Sequence, residues 1–302
     1  MPLRKDIWRV GIVRAPLQRL LALGTLDTQD ITWLPEMPSL RFLADPFGVW
    51  RDGRLYVFAE IYDYRDRIGK IEVLTFGPDL QLLDRRIALQ EPWHLSYPFI
   101  VETDGEIYML PEAFRSDRLT LYRAAEFPHR WIPVKSIELD QVPIDATPMY
   151  HDGLWWLFYV PATTKLAKFS ALHAAFAPHL TGPWTPHPRN PVRLDSASAR
   201  PGGTPIVVDG TIILPVQDCS ATYGGAIRAL HITHLSPDSF EAMAGNAIRA
   251  PHSAGAYTHG LHTMSAAGHL TLIDAKCFHL SAHSLVLDVG QVFGKFRQRR
   301  GP

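Results

Sequence analysis

The chain has 302 residues, and its 30 lysines and arginines balance its 30 aspartates and glutamates. A formal net charge of zero gives no electrostatic basis for binding nucleic acid or an anionic membrane surface, so we predict no nucleic-acid partner. The two cysteines indicate no disulfide framework and agree with a reducing compartment.

The amino-terminal segment is basic and then apolar, as a secretory signal would be. Arg14, Pro16 and Arg19 interrupt its apolar runs, and no long apolar core precedes a small-residue cleavage site. We therefore expect a retained segment and a cytoplasmic protein. No transmembrane segment is predicted, since no stretch has the required length and apolarity. The pattern indicates a strand at residues 8–13 and a short helix at residues 17–23.

One pattern returns along the chain: a proline, a short apolar run, an Asp-Gly or similar turn, and a second apolar or aromatic run that ends in a polar group. Asp-Gly between two strand-like runs is a strong hairpin signal, because both residues tolerate the positive φ of its turn. The copies recur roughly every 50 residues. They occupy residues 44–60, 96–112, 145–160, 202–217 and 259–275, and the last copy is the weakest.

A period of this length, with a hairpin in every unit, is typical of the blades of a β-propeller. One blade buries too little apolar surface to be stable alone, so five blades packed around an axis account for the repeats. We predict an all-β, five-bladed β-propeller that forms a single domain over residues 1–302. Further strands are expected at residues 68–76 in blade one and at residues 283–294, which would close blade five.

A hairpin returns the end of its second strand beside the start of its first. If the repeated hairpin is the innermost of each blade, the polar groups at these ends ring one mouth of the axial channel. We expect the catalytic carboxylates there, namely Asp45, Asp145, Glu60 and Glu112. The substrate-binding groups expected there are Tyr97, Arg200, Gln217, Asp218, Tyr223, His259 and His262. Neighbouring carboxylates cannot all ionise freely, so at least one pKa should rise. The alternative is that these groups plug the channel with water or backbone contacts.

Several candidate groups have two open interpretations. Arg200 suits the phosphate or carboxylate of a sugar nucleotide or lipid-linked sugar, because its guanidinium is a planar fork; an ion pair with Asp45 or Asp145 is the other role. The polar connection at residues 61–67 is a solvated surface or the lining of a pocket. The histidines show little metal-ligand spacing, so we predict no metal and no cofactor, with a divalent cation in the axial channel left open.

Two stretches, ADPFGVWRDG and IDATPMYHDGLWWLFYV, resemble family-43 glycoside hydrolases, which are five-bladed propellers. The resemblance implies that Asp45 is a general base and that Asp145 orients and tunes the general acid. In that family the acid is a Glu just before Gly-Pro in blade four, whereas this chain has Gly-Gly-Thr at residues 202–204 before the proline. Glu112 or Glu60 would then be a relocated acid.

Longer strings run through most of the chain: FLADPFG, HLSYPFIVETDGEIYMLPE, LYRAAEFPHRW, WWLF, GPWTPHPRNPV, ARPGG and QDCSATYGGAIRALHITHLSPDSFE. They resemble the amino-terminal propeller domain of glucosamine inositolphosphorylceramide transferases and its bacterial relatives. The resemblance implies a carbohydrate or sugar-nucleotide ligand. It also implies a formyltransferase or glycosyltransferase partner, because the bacterial relatives often accompany such modules and transfer in the plant proteins is attributed to a separate domain.

The leading hypothesis is therefore a carbohydrate-active enzyme of glycan or glycoconjugate biosynthesis, which acts on a glycosidic or activated-sugar substrate at the axial mouth. The rival hypothesis is a non-catalytic glycan-binding or scaffolding propeller that partners a formyltransferase or glycosyltransferase. The accumulated carboxylates favour the enzyme. The absence of a Glu at the family-43 acid position favours the binding protein.

Overall fold

The computed structural model describes residues 4–280, which form five β-sheets arranged as the blades of a propeller. Neighbouring strands within each blade run antiparallel. The inner strands of successive blades contact one another around the axis, and each belongs to one of the repeated hairpins. The predicted five-bladed β-propeller is confirmed.

The amino-terminal segment precedes two regular four-stranded blades. This segment supplies β1 (Arg4–Val13), helix α1 (Leu17–Leu23) and β2 (Ile31–Trp33). Blade one contains β3 (Arg41–Arg51), β4 (Arg54–Asp63), β5 (Lys70–Phe76) and β6 (Leu82–Leu89). Blade two contains β7 (Ser96–Thr103), β8 (Glu106–Glu112), a 3₁₀ turn (Phe114–Ser116), β9 (Leu119–Glu126) and β10 (Arg130–Ile137).

The remaining three blades are less regular at their outer edges. Blade three contains β11 (Pro143–His151), β12 (Leu154–Pro161), helix α2 (Ala167–Ser170), β13 (Ala171–Ala177), β14 (Thr185–Pro186) and β15 (Arg193–Leu194). Blade four contains β16 (Arg200–Pro201), β17 (Ile206–Val208), β18 (Thr211–Asp218), β19 (Ala226–Ser236) and β20 (Ser239–Ile248). Blade five contains a preceding 3₁₀ turn (His252–Ala254), β21 (Gly260–Ala267) and β22 (Leu270–Leu280).

The amino-terminal strand completes the fifth blade. β1 pairs with β22 along its whole length, and β2 forms the outer edge of the same sheet. The strand and the short helix expected near the amino terminus are both present, and the strand begins earlier, at Arg4. The strand expected at residues 283–294 lies outside the described residues. Among residues 4–280, no helix is long and apolar enough to cross a membrane.

Apolar side chains pack between neighbouring blades and form the core. Trp156, Phe158 and Leu214 are buried where blade three meets blade four. Phe47 contacts the edge of the Tyr97 ring, with 4.7 Å between centroids, where blade one meets blade two. Each large aromatic side chain buried in this way contributes about 2–3 kcal/mol of transfer free energy, so the strand pattern and the packing of blades stabilise the same arrangement.

Four inner strands carry a β-bulge, shown by a register shift in β3, β7, β11 and β21, and the bulges of the first three lie at equivalent positions. Asp45, Tyr97 and Asp145 occupy these three bulges with positive φ values of 50, 43 and 50°. A bulge re-aims the side chain that it carries, and positive φ is costly for residues with a β-carbon. The three residues therefore define the structural repeat better than the prolines do, because Ala146 stands in blade three where a proline stands in blades one and two.

Blade four approaches blade five so closely that its backbone leaves no room for a side chain. Gly203 forms an isolated bridge with Met264 and has a φ of 150°. A Cβ atom added to Gly203 would lie 1.9 Å from the carbonyl oxygen of Met264, and one added to Gly202 would lie 2.8 Å from that of His262. Both contacts are with backbone, so no side-chain rotation relieves them.

Replacing Gly203 with alanine should therefore separate blades four and five locally. We expect the Gly203→Ala variant to lose about 3 kcal/mol or more of unfolding free energy, since overpacking and a disfavoured φ add. The Gly245→Ala variant is the control, because its Cβ would meet its nearest neighbour at an ordinary 3.4 Å. Urea denaturation measures both; equal stabilities for the two variants would contradict the described packing.

Candidate axial site

A cavity of about 730 Å³ opens at one mouth of the propeller axis. Six residues expected at this mouth from the sequence line the cavity: Asp45, Glu60, Glu112, Arg200, Tyr223 and His262. The carboxyl groups come from the inner hairpins of blades one and two, and the other three residues come from blades four and five. The cavity is referred to below as the axial cavity.

Three further expected residues lie buried behind the wall of the axial cavity. Asp145 accepts hydrogen bonds from Arg200 Nε at 2.7 Å and from Gln217 Nε2 at 2.9 Å. The hydroxyl of Tyr97 accepts a hydrogen bond from the backbone N–H of Gly203 at 2.9 Å and lies 2.9 Å from Thr147 Oγ1. These groups hold the inner strands of blades two, three and four together.

The structure does not bring Asp218 and His259 into the axial cavity. Successive side chains of a strand point to opposite faces, so Asp218 points away from the side on which Gln217 lies. It accepts hydrogen bonds from Arg228 Nε and Nη2 at 3.0 and 2.8 Å. His259 precedes β21 and is exposed, with its ring 4.4 Å from that of Phe278.

Asp45 is buried at the edge of the axial cavity, with 5% of its surface exposed. Thr263 Oγ1 donates to its Oδ1 at 3.0 Å, and the backbone N–H of Tyr97 donates to its Oδ2 at 3.3 Å. Burial raises the pKa of Asp45 to about 6, although the neighbouring His262 opposes the rise. Above pH 6 the side chain is therefore mainly a carboxylate that can accept a proton.

His262 lies between two carboxylates and beneath a tryptophan. Its Nε2 is 3.3 Å from Asp45 Oδ1, its Nδ1 is 2.7 Å from Asp274 Oδ2, and its ring stacks on Trp8 at 3.7 Å. Burial alone would lower the pKa of His262, but the charges of Asp274 and Asp45 outweigh it and raise the pKa. The ligand atoms of the three polar side chains also lie within 4.8 Å of one another, close enough to hold a cation.

Glu112 is the second carboxyl group held by fixed donors. Ser96 Oγ donates to its Oε2 at 2.8 Å, and the backbone N–H of Phe114 donates to its Oε1 at 2.6 Å. Burial raises the pKa of Glu112 to about 7 in spite of these hydrogen bonds, which favour the charged form. The group is therefore about half protonated at neutral pH and can donate a proton.

Glu60 is a third buried carboxyl group, and His94 stands beside it. Burial raises the pKa of Glu60 well above its ordinary value, and the charges of Asp45 and Glu112 add to the effect. Burial also lowers the pKa of His94 to about 4, which keeps its ring neutral. Because the backbone N–H of Gly69 donates to His94 Nδ1 at 2.9 Å, the ring proton lies on Nε2, 3.5 Å from Glu60 Oε1.

Arg200 forms the ion pair with Asp145 that was one of its two expected roles. It lines the axial cavity, but its Nε is bound to Asp145 at 2.7 Å. Its guanidinium carbon lies 4.9 Å from the centre of the Tyr223 ring and 5.5 Å from that of Phe169. Much of its charge is therefore balanced within the protein, which weakens the expectation that Arg200 is the main anion clamp.

Other cavity-lining residues come from segments outside the repeats. β1 contributes Arg4, Lys5, Asp6 and Trp8, and the connection at residues 61–67 contributes Tyr62, Tyr64 and Arg67. The connection thus lines the cavity, which was one of its two interpretations. β1 could not be assigned to the site from the sequence, because its pairing partner β22 lies at the far end of the described chain.

The position at which the resemblance to family-43 hydrolases implies an acid cannot hold a glutamate in this fold. Gly202 and Gly203 occupy it, and the backbone of blade five fills the space that a side chain would need. Another blade would have to supply an acid in this cavity. Besides Asp45, blades one and two supply the buried carboxyl groups of Glu60 and Glu112.

The raised pKa of Glu112 gives a test through stability. A carboxyl group with a raised pKa stabilises the fold while it is protonated, so its contribution is lost as the pH rises from the ordinary value of 4.5 through about 7. We expect the free energy of unfolding of the wild type to fall by about 3 kcal/mol more than that of Glu112→Gln between pH 4 and pH 8. Urea denaturation at both pH values measures this difference.

The Glu106→Gln variant is the control for this experiment, because Glu106 lies on the same strand and is partly exposed to solvent where it pairs with Arg123. It should keep the pH dependence of the wild type. A Glu112→Gln variant whose stability changes with pH as much as that of the wild type would contradict the raised pKa.

Comparison with known proteins identifies relatives of the chain. The sequence model described as the N-terminal part of glucosamine inositolphosphorylceramide transferase 1 matches residues 33–261. The protein of that name from Oryza sativa subsp. indica is 36% identical over 211 residues, which make up 68% of this chain and 28% of that protein. The Arabidopsis thaliana protein of the same name is 36% identical over 213 residues, or 68% and 27% of the two chains.

The fold is also that of solved glycoside hydrolases. The catalytic domain of the Coprinopsis cinerea GH62 α-L-arabinofuranosidase aligns with a TM-score of 0.56 over 80% of this chain and 93% of that chain, at 12% identity. The chain thus has the propeller fold of these hydrolases and spans little more than a quarter of the curated relatives that it matches. By sequence, it belongs to the family of the amino-terminal domain of glucosamine inositolphosphorylceramide transferase 1.

Proposed function

We propose that the chain is a carbohydrate-active enzyme of glycoconjugate assembly, and that the axial cavity breaks or forms a bond at the anomeric carbon of a sugar. The observation that carries this proposal is the pair Asp45 and Glu112 in one cavity, one able to accept a proton and the other able to donate one near neutral pH. Two carboxyl groups whose environments separate their protonation states are what glycosyl chemistry requires.

Asp45 acts as the general base in this proposal. Its bulged backbone aims the carboxylate at the cavity, and Thr263 and the backbone of Tyr97 fix both of its oxygens. His262 stabilises the charged form, and Asp274 orients the imidazole from behind. The carboxylate can then take the proton of a water molecule or of an acceptor hydroxyl as that oxygen attacks the sugar.

Glu112 acts as the general acid. Its two oxygens receive hydrogen bonds from Ser96 and Phe114, so the carboxyl group is held in one orientation, whatever its protonation state. When the bond between the anomeric carbon and the leaving oxygen breaks, the proton of Glu112 passes to that oxygen. Glu60, whose pKa is raised by burial, supplies a further hydrogen-bond donor for a sugar oxygen when it is protonated.

The comparisons support a sugar-related substrate, since the relatives are named glucosamine inositolphosphorylceramide transferase 1 and the fold neighbours include glycoside hydrolases. The chain covers about a quarter of those relatives, so a second candidate function is binding of a glycan on behalf of a glycosyltransferase or formyltransferase partner. The closed acid position at Gly202 and Gly203 is the observation that favours it.

Kinetics distinguish the two functions. With a panel of sugar nucleotides and nitrophenyl glycosides as substrates, we expect kcat/KM to fall below about pH 6 as Asp45 is protonated and above about pH 7 as Glu112 ionises. Asp45→Asn should remove the acidic limb and Glu112→Gln the alkaline limb. Each variant should lose roughly 10²- to 10⁴-fold in rate, with a smaller loss for Glu112→Gln on nitrophenyl substrates, whose leaving group needs little protonation.

Asp52→Asn and Glu106→Gln are matched controls, because both carboxylates reach solvent on the same hairpins. They should retain wild-type rates. Binding of sugar without turnover by the wild type, together with unchanged binding by Asp45→Asn and Glu112→Gln, would instead assign the chain to the glycan-binding function.

A further inference from the structure

Three basic side chains from three blades meet on one wall of the axial cavity: Arg67 after β4, Arg115 after β8, and Lys168 after β12. Arg115 Nη1 donates to the backbone carbonyl of Arg67 at 3.4 Å. The ammonium group of Lys168 lies 4.0 Å from the centre of the Phe114 ring, one residue before Arg115. These three residues are referred to as the basic wall.

We propose that the basic wall is a phosphate-binding subsite, which takes the phosphoryl group of a phosphorylated sugar whose ring lies in the axial cavity. The inference rests on the proposed function and adds the chemical class of its substrate. Two guanidinium groups and an ammonium group supply the planar forks and the point charge that proteins use to bind phosphate oxygens.

The charge around the basic wall supports this assignment. Burial raises the pKa values of the nearby carboxyl groups of Glu60 and Glu112, so they offset less of the positive charge than ordinary carboxylates would. An anionic ligand would therefore enter a region of positive potential.

Arg200 and Arg4 lie closer to carboxylates than Arg115 and Lys168, whose described contacts are the backbone carbonyl of Arg67 and the ring of Phe114. The Nε atom of Arg200 is held by Asp145, and Arg4 Nε lies 3.8 Å from Asp6 Oδ1 with its guanidinium carbon 3.9 Å from the centre of the Phe278 ring. Both cations also line the axial cavity, on the sides of blades four and five. The phosphate subsite is thus assigned to the side of blades one to three.

The subsite is coupled to the proposed acid through one turn of backbone. The 3₁₀ turn that carries Arg115 begins at Phe114, whose N–H donates to Glu112 Oε1. A phosphoryl group on the basic wall would place the oxygen that joins it to the sugar on the same side as Glu112. When the bond from the anomeric carbon to that oxygen breaks, the phosphate leaves with the proton of Glu112. The attacking hydroxyl gives its proton to Asp45 and forms the new bond, so that the step balances.

Two sources carry this phosphate chemistry, namely the diphosphate of a sugar nucleotide and the phosphodiester of a lipid headgroup. Titration of the protein with UDP-N-acetylglucosamine and with phosphatidylcholine vesicles that contain phosphatidylinositol separates them. Preferential binding of the sugar nucleotide supports the subsite and assigns it to the first source, whereas preferential binding of the vesicles supports it and assigns it to the second.

The test uses titration calorimetry on the Glu112→Gln protein, which keeps the cavity while removing the acid. With α-D-glucose 1-phosphate as the probe, we expect Arg115→Gln and Lys168→Gln each to weaken binding by about tenfold to a hundredfold. Binding of methyl α-D-glucoside, which has no phosphate, should not change. Arg115→Lys keeps the charge and should recover part of the affinity, which excludes misfolding as the cause.

Arg118→Gln and Lys165→Gln are the matched controls, since both residues are exposed close in sequence to the basic wall and do not line the axial cavity. They should bind glucose 1-phosphate as the parent protein does. The subsite is overturned if the Arg115→Gln, Lys168→Gln double variant binds the probe as tightly as the parent, or if the parent binds none of the three phosphate probes. Because binding is measured without turnover, a failed acid–base pair would leave this result unaffected.

Discussion

The site depends on the hydrogen bonds that the buried carboxylate of Asp274 accepts. This carboxylate accepts hydrogen bonds from the backbone N–H groups of Asp45 at 2.8 Å, His262 at 3.2 Å and Thr263 at 3.0 Å. Asp45 belongs to the first blade and the other two residues to the last. One side chain therefore fixes the bulged strands β3 and β21 and links the first blade to the last. Hydrogen bonds to a charged acceptor are worth about 1.5–3 kcal/mol each, and loss of the carboxylate would leave three buried donors without a partner.

The same contact explains how charged groups can be concentrated in the interior. The propeller brings polar strand ends from several blades to a single mouth. A different neighbouring side chain offsets the desolvation cost of each buried carboxylate. Asp145 is balanced by Arg200, and Asp45 by His262. For Glu60 and Glu112, burial instead raises the pKa, which favours the uncharged form of the carboxyl group. The result is a cavity with proton donors and an acceptor in its depth and basic side chains on its wall.

Much of the fold could be predicted from the sequence, because its signals are local. An Asp-Gly turn between two apolar runs specifies a hairpin without reference to the rest of the chain, and four such units with a weaker fifth copy specify a propeller. The long-range pairing of β1 with β22 has no local signal, so the contribution of Trp8 and its neighbours to the site was not foreseen. A proline does not mark the bulge in every blade, because alanine follows the bulge residue Asp145 in blade three.

The site residues divide in the same way. The register of a hairpin predicts that Glu60 and Glu112 end their strands at the mouth, and both line the axial cavity. Asp218 failed to reach it because strand side chains alternate, a difference of one residue that decides which face a group occupies. The Gly-Gly sequence signals that the family-43 acid is missing, but the physical reason, backbone contact with Met264, appears in three dimensions alone.

The central claim is that Glu112 is a proton donor near neutral pH, and a direct titration tests it. Carbon-13 NMR of protein labelled at the glutamate carboxyl carbons, with the signal assigned by its loss in Glu112→Gln, follows the protonation of that side chain. The account predicts a midpoint near pH 7, raised by burial from the ordinary value of 4.5. A midpoint near 4.5 would show a carboxylate that is ionised at neutral pH, and it would contradict the assignment of Glu112 as the acid.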